Sequence, residues 1–264
     1  MKFSIIGTGF IFPIHVEAIR DIGGEIVDVV NNARGEEEWK KMVETTKADC
    51  IVILTPNDLH FEMAKFALDR GKKVLCEKPL AIQSDHVNEL AGREGIFSVL
   101  QLRHHPMAKE LKEQVSKNKK YNVEMDISAY RDEKYYQSWK GQRERSGGVL
   151  FNLGVHYFDM LLYLFGEAQD IKVSSLDDKT GTGVISGANY TCQWKVSTDT
   201  PREEQRRVFK VDGVPYNFSS KDNLSFENLH KFVYEDLLEN KGIRPEEVLK
   251  SIKLIERIYN SYGK

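Results

Sequence analysis

Cysteine is scarce in this chain. Cys50, Cys76 and Cys192 are the only three among 264 residues. They lie far apart and lack zinc-ligand spacing, which excludes a disulfide framework and a cysteine-built metal site. They read as reduced, packed thiols, and no metal is expected. Long hydrophobic runs are also lacking. No stretch approaches about 18 apolar residues, so no membrane partner is expected. The opening Met1-Lys2-Phe3-Ser4-Ile5-Ile6 has no signal-peptide layout and leads directly into a strand and a glycine turn. The expectation is a cytoplasmic protein. An excess of either charge is missing too: Lys and Arg number 38 against 40 Asp and Glu, for a net charge of −2. That balance, with a pI near 6.4, excludes a general nucleic-acid binder. There is no internal repeat and no low-complexity segment.

What the chain does hold is alternation. Up to residue 102, short apolar runs (Lys2–Ile6, Glu25–Val30, Asp49–Ile53, Lys73–Cys76, Phe97–Leu102) read as buried strands. The amphipathic stretches between them (Ile14–Ile22, Glu36–Val43, Leu59–Arg70, Ser84–Glu94) read as helices. In Leu59–Arg70, Leu59, Met63, Phe66 and Ala67 share a face, Asn57 and Asp58 precede it as caps, and Gly71 stops it. Strand and helix in turn predict a doubly wound parallel sheet. The second half differs. A helix at Pro106–Ser116 leads to a strand at Val123–Tyr130 and a loop rich in Arg, Lys, Tyr and Trp. An apolar helix at Leu153–Phe165 follows. Strands are predicted at 171–175, 183–194, 205–211 and 214–218, the last two joined by an Asp212-Gly213 hairpin turn. Helices at 224–238 and 244–262 close the chain. The fold class is therefore α/β, a Rossmann sheet over 1–118 followed by an α+β domain on an open, largely antiparallel sheet over 119–264. Val184, Tyr190 and Trp194 share one parity in the 183–194 strand. If that face is uncovered, it predicts an interface.

Three constellations carry chemistry. Gly7-Thr8-Gly9 follows the first strand, where two glycines let the backbone approach a pyrophosphate at a helix N-terminus. Pro13 suits the first turn of that helix. Phe12 replaces the third glycine of the full fingerprint. About 20 residues on, where an acid holds the adenosine ribose, the chain has Asn31-Asn32. Asn31 can bond a hydroxyl but lacks the carboxylate that repels a 2′-phosphate, so NAD is expected and NADP stays open. Next, the strand Lys73–Cys76 ends in Glu77-Lys78-Pro79. Proline pushes Lys78 towards an extended conformation and aims its ammonium at the carboxyl edge of the sheet. Finally, Asn152, His156 and Asp159 are spaced i, i+4, i+7 on one helical face, opposite Leu153, Leu161, Leu164 and Phe165.

With these residues the chain resembles the Gfo/Idh/MocA oxidoreductases. The matching pieces are Gly7-Thr8-Gly9, Thr55-Pro56-Asn57-Asp58-Leu59-His60, Glu77-Lys78-Pro79-Leu80 and the run Gly147 to Asp159. Within that family it is similar to the UDP-N-acetylglucosaminuronate 3-dehydrogenases of bacterial surface-polysaccharide (lipopolysaccharide) synthesis, the WlbA/WbpB group. That likeness is carried by Gly9 to His15, Leu100 to Pro106, Tyr135 to Gly141 and Leu229 to Leu238. The chain is shorter than these relatives between Asn31 and Asp49.

The resemblance implies cofactor contacts at Gly7, Gly9, Phe10, Ile11, Asn31, Thr55, Pro56, Asn57, His60, Glu77, Lys78 and Gln101. It implies Lys78 and His156 as the catalytic pair. A histidine has a suitable ordinary pKa for a base at neutral pH, whereas a lysine must first be depressed. His156 is thus read as the base and Lys78 as the group that polarises the reacting oxygen, with the reverse left open. Arg103, Arg131, Trp139, Lys140, Asn152 and Asp159 are the expected substrate contacts. Arg143, Arg145, Tyr135 and Tyr136 are also available to a diphosphate, a carboxylate or a base. The expected partners are a nucleotide sugar, 2-oxoglutarate as hydride acceptor, and further copies of the chain in a homodimer or homotetramer. Two alternatives remain: another sugar or cyclitol dehydrogenase of the family, or a non-catalytic nicotinamide-binding regulator.

Overall fold

The short apolar runs of the first hundred residues do form strands, and their burial explains their composition. A computed structural model describes residues 1–31, 35–218 and 229–262. Asn32 and the expected helix start at 224 lie outside them. The first five strands are β1 (Lys2–Ile6), β2 (Glu25–Val30), β3 (Cys50–Ile53), β4 (Lys73–Cys76) and β5 (Ile96–Ser98). They make a parallel sheet in the order β2-β1-β3-β4-β5. Helices α1 (Phe12–Asp21), α2 (Glu36–Thr45), α3 (His60–Asp69) and α4 (Ser84–Leu90) alternate with them. β3 is buried at all four residues, as expected for a strand covered on both faces. The chain leaves β1 towards β2 on one side and returns to β3 on the other. This switch point puts the glycine turn where ligands bind in open α/β sheets. The expected strand Phe97–Leu102 is shorter than predicted. Leu100 and Leu102 are buried outside any strand, in and before a 3₁₀ turn at Gln101–His104. An apolar run signals burial, not strand, once the ladder has ended. The 3₁₀ turn Asn57–Leu59 precedes α3, whose N-cap position is Leu59.

The second sheet contains β6 (Tyr121–Ser128), β7 (Ala168–Leu176), β8 (Thr180–Gly187), β9 (Tyr190–Ser197), β10 (Arg206–Val211) and β11 (Val214–Tyr216). Its order is β11-β10-β6-β9-β8-β7. Only β6 and β9 pair in parallel; the other neighbours are antiparallel. Helices α5 (Pro106–Gln114), α6 (Glu133–Gln137), α7 (Arg143–Ser146) and α8 (Val155–Phe165) belong to this part. The β10–β11 hairpin turns at Asp212 and Gly213, both with positive φ, as a two-residue turn demands.

The expected single strand 183–194 is two strands. Val184 pairs with Gln193, and Trp194 pairs with Gly183, so Val184 points away from Trp194. Tyr190 and Trp194 are buried at 3 % exposure, and Trp194 meets Phe158 of α8 edge-on at 5.4 Å. The predicted apolar interface patch is therefore half core and half outer face. The outer face carries exposed Glu124, Thr191 and Gln193 and the ion pairs Lys210–Glu124 and Arg206–Asp126.

The last helices are α9 (Leu229–Leu238) and α10 (Pro245–Ser261). The chain divides into two compact units, Met1–Gln101 with Asn228–Leu249, and Leu102–Glu227 with Lys250–Lys264. This differs from the expected division at 118/119, since α5 lies in the second unit and α9 in the first. Val233, Tyr234 and Leu237 of α9 join Phe3, Ile5 and Ile19 in one core cluster. The run Arg143–Phe165 is long and apolar enough to cross a membrane by composition, but 78% of its apolar window is buried inside the protein, which makes it a core helix.

Candidate active site

The carboxyl edge of the first sheet collects the predicted cofactor residues. Gly7 has φ +103°, and a Cβ there would lie 2.7 Å from the Leu54 carbonyl oxygen. Only glycine allows β1 to pass β3 this closely. Around Gly9 a Cβ would meet nothing within 4 Å, and Phe10 beside it is 77% exposed. α1 then starts behind Ile11 with no side-chain cap. Open backbone before an uncapped helix N-terminus fits a pyrophosphate. Asn31 is exposed at the end of β2 and accepts from the Thr8 hydroxyl, so the ribose-side residue is tied to the glycine turn. Thr55 and Asn57 are buried and Pro56 half-buried. Gln101 is 5% exposed, and its Oε1 has no hydrogen-bond partner among the described residues. A buried acceptor left over is a place for a ligand's donor.

Two of the expected cofactor contacts act from behind the site. The His60 ring is fully buried, with Nδ1 2.7 Å from the Pro79 carbonyl oxygen and Nε2 2.9 Å from that of Thr55. It staples the Glu-Lys-Pro turn to the Thr-Pro-Asn turn, and burial lowers its pKa. Glu77 points inward, not at a ligand. Its Oε2 accepts from the Lys78 N–H at 3.1 Å, and its Oε1 lies 3.1 Å from His15 Nε2 and 3.7 Å from His230 Nε2. His15 Nδ1 is 2.7 Å from the Tyr234 hydroxyl. Burial holds His15 below its ordinary pKa and raises Tyr234 well above its own. A neutral His15 therefore donates from Nε2 to Glu77 and accepts at Nδ1 from Tyr234. Burial pushes Glu77 up, but its bond to His15 and the nearby His230 ring outweigh that and hold it well below the usual carboxylate range. Sequence reasoning missed this network. His15 and His230 sat in otherwise apolar helices, where a lone histidine carries no signal of a partner 62 or 215 residues away.

In the second unit the predicted substrate residues fall into two groups. Arg103 and Asp159 bind each other. Nε and Nη2 of Arg103 reach the two carboxylate oxygens at 2.8 and 2.7 Å, with side-chain exposures of 11% and 3%. They form a buried, two-pronged ion pair that anchors α8 to the Gln101–His104 turn, and their expected role as ligand contacts stays a proposal. The second group is open. Asn152 lies in a π-helical turn, Leu150–Gly154, that runs into α8, so the strict i, i+4, i+7 face holds only from His156 onward. Asn152 Nδ2 donates to the Lys140 carbonyl at 3.1 Å. Arg131 and Lys140 approach the same Tyr135 ring at 5.2 and 6.0 Å, and Lys140 also reaches the Trp139 ring at 5.9 Å. Burial and then Arg131 lower the Lys140 pKa. His156 is 6% exposed on α8, and Lys78 is half-buried after β4. Arg143 stacks on Tyr259 at 4.2 Å.

Residues 1–94 match the family model described as an oxidoreductase family, NAD-binding Rossmann fold, and residues 112–181 match its C-terminal alpha/beta domain. Among solved structures, the WlbA (WbpB) dehydrogenase from Thermus thermophilus in complex with NAD and alpha-ketoglutarate is 27% identical. Its TM-score is 0.85, covering 100% of this chain and 96% of that one. The same dehydrogenase in complex with NAD and UDP-GlcNAcA is 28% identical with a TM-score of 0.83, covering 97% and 93%. The scyllo-inositol 2-dehydrogenase (NADP(+)) of Bacillus subtilis is 28% identical over 219 residues, 70% of this chain and 66% of that protein. The chain spans about half to two thirds of the length of the curated relatives it matches.

Proposed function

The chain belongs to the Gfo/Idh/MocA oxidoreductases, and on that premise we propose that it oxidises the C3 hydroxyl of a UDP-N-acetylglucosaminuronate-type sugar with NAD, in the cytoplasm. The observation that carries this reading is Lys78 and an open glycine turn at the carboxyl edge of the first sheet, with His156 on α8 of the second unit, on a fold similar from end to end to a dehydrogenase solved with NAD and UDP-GlcNAcA. A nicotinamide, when bound, supplies the hydride acceptor. Gly7, Gly9 and the N-terminus of α1 hold the diphosphate, and Gln101 Oε1 takes a ligand donor. His156 receives the hydroxyl proton as the carbonyl forms, and the Lys78 ammonium steadies the oxygen. Glu77 accepts a hydrogen bond from the Lys78 backbone N–H.

The test is turnover of UDP-N-acetylglucosaminuronate with catalytic NAD and 2-oxoglutarate, following the 3-oxo sugar and 2-hydroxyglutarate. Both products should accumulate beyond the amount of NAD added. Oxidation of scyllo-inositol or glucose 6-phosphate, with none of the nucleotide sugar, would replace this reading with that of a cyclitol or sugar-phosphate dehydrogenase. That second reading is favoured by the curated relatives of those activities.

A further inference from the structure

The amino edge of the first sheet, opposite the glycine turn, holds a cavity of about 650 Å³. β4 opens at Lys73 and β5 at Ile96. The segments leading into these strands, with the turn joining α9 to α10, form its walls. All of the lining belongs to the first unit. The volume suits a small molecule. A dinucleotide binds at the carboxyl ends of such strands, so the cofactor leaves this hollow unused.

Four cations line it: Lys72, Lys73, Arg93 and Arg244. Arg93 is already matched, with Nη2 2.6 Å from Asp69 Oδ1. The charged ends of the other three meet no carboxylate among the described residues. Lys72 Nζ donates to the Thr46 and Ala48 carbonyls at 3.0 and 2.9 Å. Lys73 Nζ donates to Asn240 Oδ1 at 2.7 Å. The Arg244 guanidinium lies 6.0 Å from the centre of the Phe97 ring, and Glu247 takes the Arg244 backbone N–H instead, at 3.3 Å. Neutral acceptors fix an ammonium in place without cancelling its charge. Both lysines are half-buried, where a charge is felt more strongly than in open water. Against these cations stands one lining carboxylate, Glu94, which is exposed. A hollow walled mainly by one sign of charge concentrates the opposite sign.

We propose that this cavity is a second ligand site, for a small molecule that carries a diphosphate group. Lys72 and Lys73 stand on the wall where β4 begins, and Arg244 on the wall between α9 and α10. An anion with two charged ends spans both walls, whereas a single phosphate meets one. Lysine meets a phosphate as a point charge and arginine meets it as a fork, so the two walls hold it in different ways. The site is independent of the dehydrogenase reading, because none of its lining residues is among the proposed cofactor or substrate contacts.

The experiment is calorimetric titration with inorganic pyrophosphate and with inorganic phosphate, at fixed ionic strength and without divalent cations. The proteins are the wild type, Arg244→Gln, Lys73→Gln and Gly9→Val. The wild type should bind pyrophosphate about tenfold or more tightly than phosphate. Arg244→Gln and Lys73→Gln should each weaken pyrophosphate by about tenfold or more, the scale of a hydrogen bond to a charged group. Arg244 is exposed, so its variant keeps the fold and decides the matter should Lys73→Gln not fold. Gly9→Val, which blocks the glycine turn, should bind pyrophosphate as the wild type does. A loss of binding in Gly9→Val would place the pyrophosphate at the cofactor turn and overturn the second site. Equal affinity for the two anions in the wild type overturns it too, as does unchanged pyrophosphate binding in Arg244→Gln.

Discussion

The two units hold buried polar clusters of opposite character. In the first, one anion, Glu77, sits among donors: a neutral His15, the Lys78 backbone N–H, and His230 nearby. Its second rank of contacts is closed by Tyr234. In the second, Arg131 and Lys140 approach one Tyr135 ring, and burial and then Arg131 lower the Lys140 pKa. A buried charge met by surrounding donors is a brace, because those bonds offset the cost of its desolvation. The Arg103–Asp159 pair shows that the second unit also contains a brace, built from two residues that looked like ligand contacts in the sequence. Charge type alone does not separate the two roles; closure does.

The largest effects should come from the groups outside both braces. His156→Asn should lower kcat about 10²–10⁴-fold with cofactor and sugar binding nearly intact, the scale of a general base. It should also remove the acid limb of the pH–rate profile. Lys78→Met should lower kcat and raise KM. If His156→Asn keeps a normal acid limb while Lys78→Met loses it, the two roles are exchanged.

Next come the braces. Asp159→Asn leaves the buried Arg103 charge without its two-pronged partner, and urea unfolding should show a loss of about 3–5 kcal/mol. Exchanging both residues for apolar ones of similar size should recover much of it. A single-variant loss below about 1 kcal/mol would make the pair incidental and return Arg103 to the ligand contacts.

Glu77→Gln should cost less, about 1.5–3 kcal/mol, because the amide keeps the shape and loses the charge. The pH dependence sharpens the point. His15 and His60 have folded pKa values below their ordinary 6.5, so the unfolded chain takes up their protons first. Wild-type stability should therefore fall as pH drops below about 6.5. Glu77 is held below its ordinary 4.5, so its contribution is present above that value and lost as pH falls through the folded one. Unfolding free energies between pH 7 and 4 should show the variant missing only the lower part of this decline. An unchanged slope below 4.5 would mean that Glu77 is not the anion of the network.

Much of the first sheet was legible because its strands are local: β1, β2 and β4 have the predicted ends, each an apolar run bounded by charge or glycine. Gly7, Gly9 and the Glu77-Lys78-Pro79 turn were legible because backbone constraint leaves a residue-level mark. The hairpin within 183–194 was not, since Gly187 to Asn189 interrupts an alternation that continues on both sides. Asn152 was placed one turn too simply, because a π turn leaves no mark in residue spacing.

The amino-acid order by itself determined the alternation of strand and helix, the glycine turn, and the presence of Lys78 and His156, since each depends on residues within a turn or two. Only the tertiary structure decided which polar side chains face each other. Arg103 could close on Asp159, and Glu77 on His15 and His230, only after distant segments were packed together. The energy of a buried charge is set by those neighbours and not by its place in the chain.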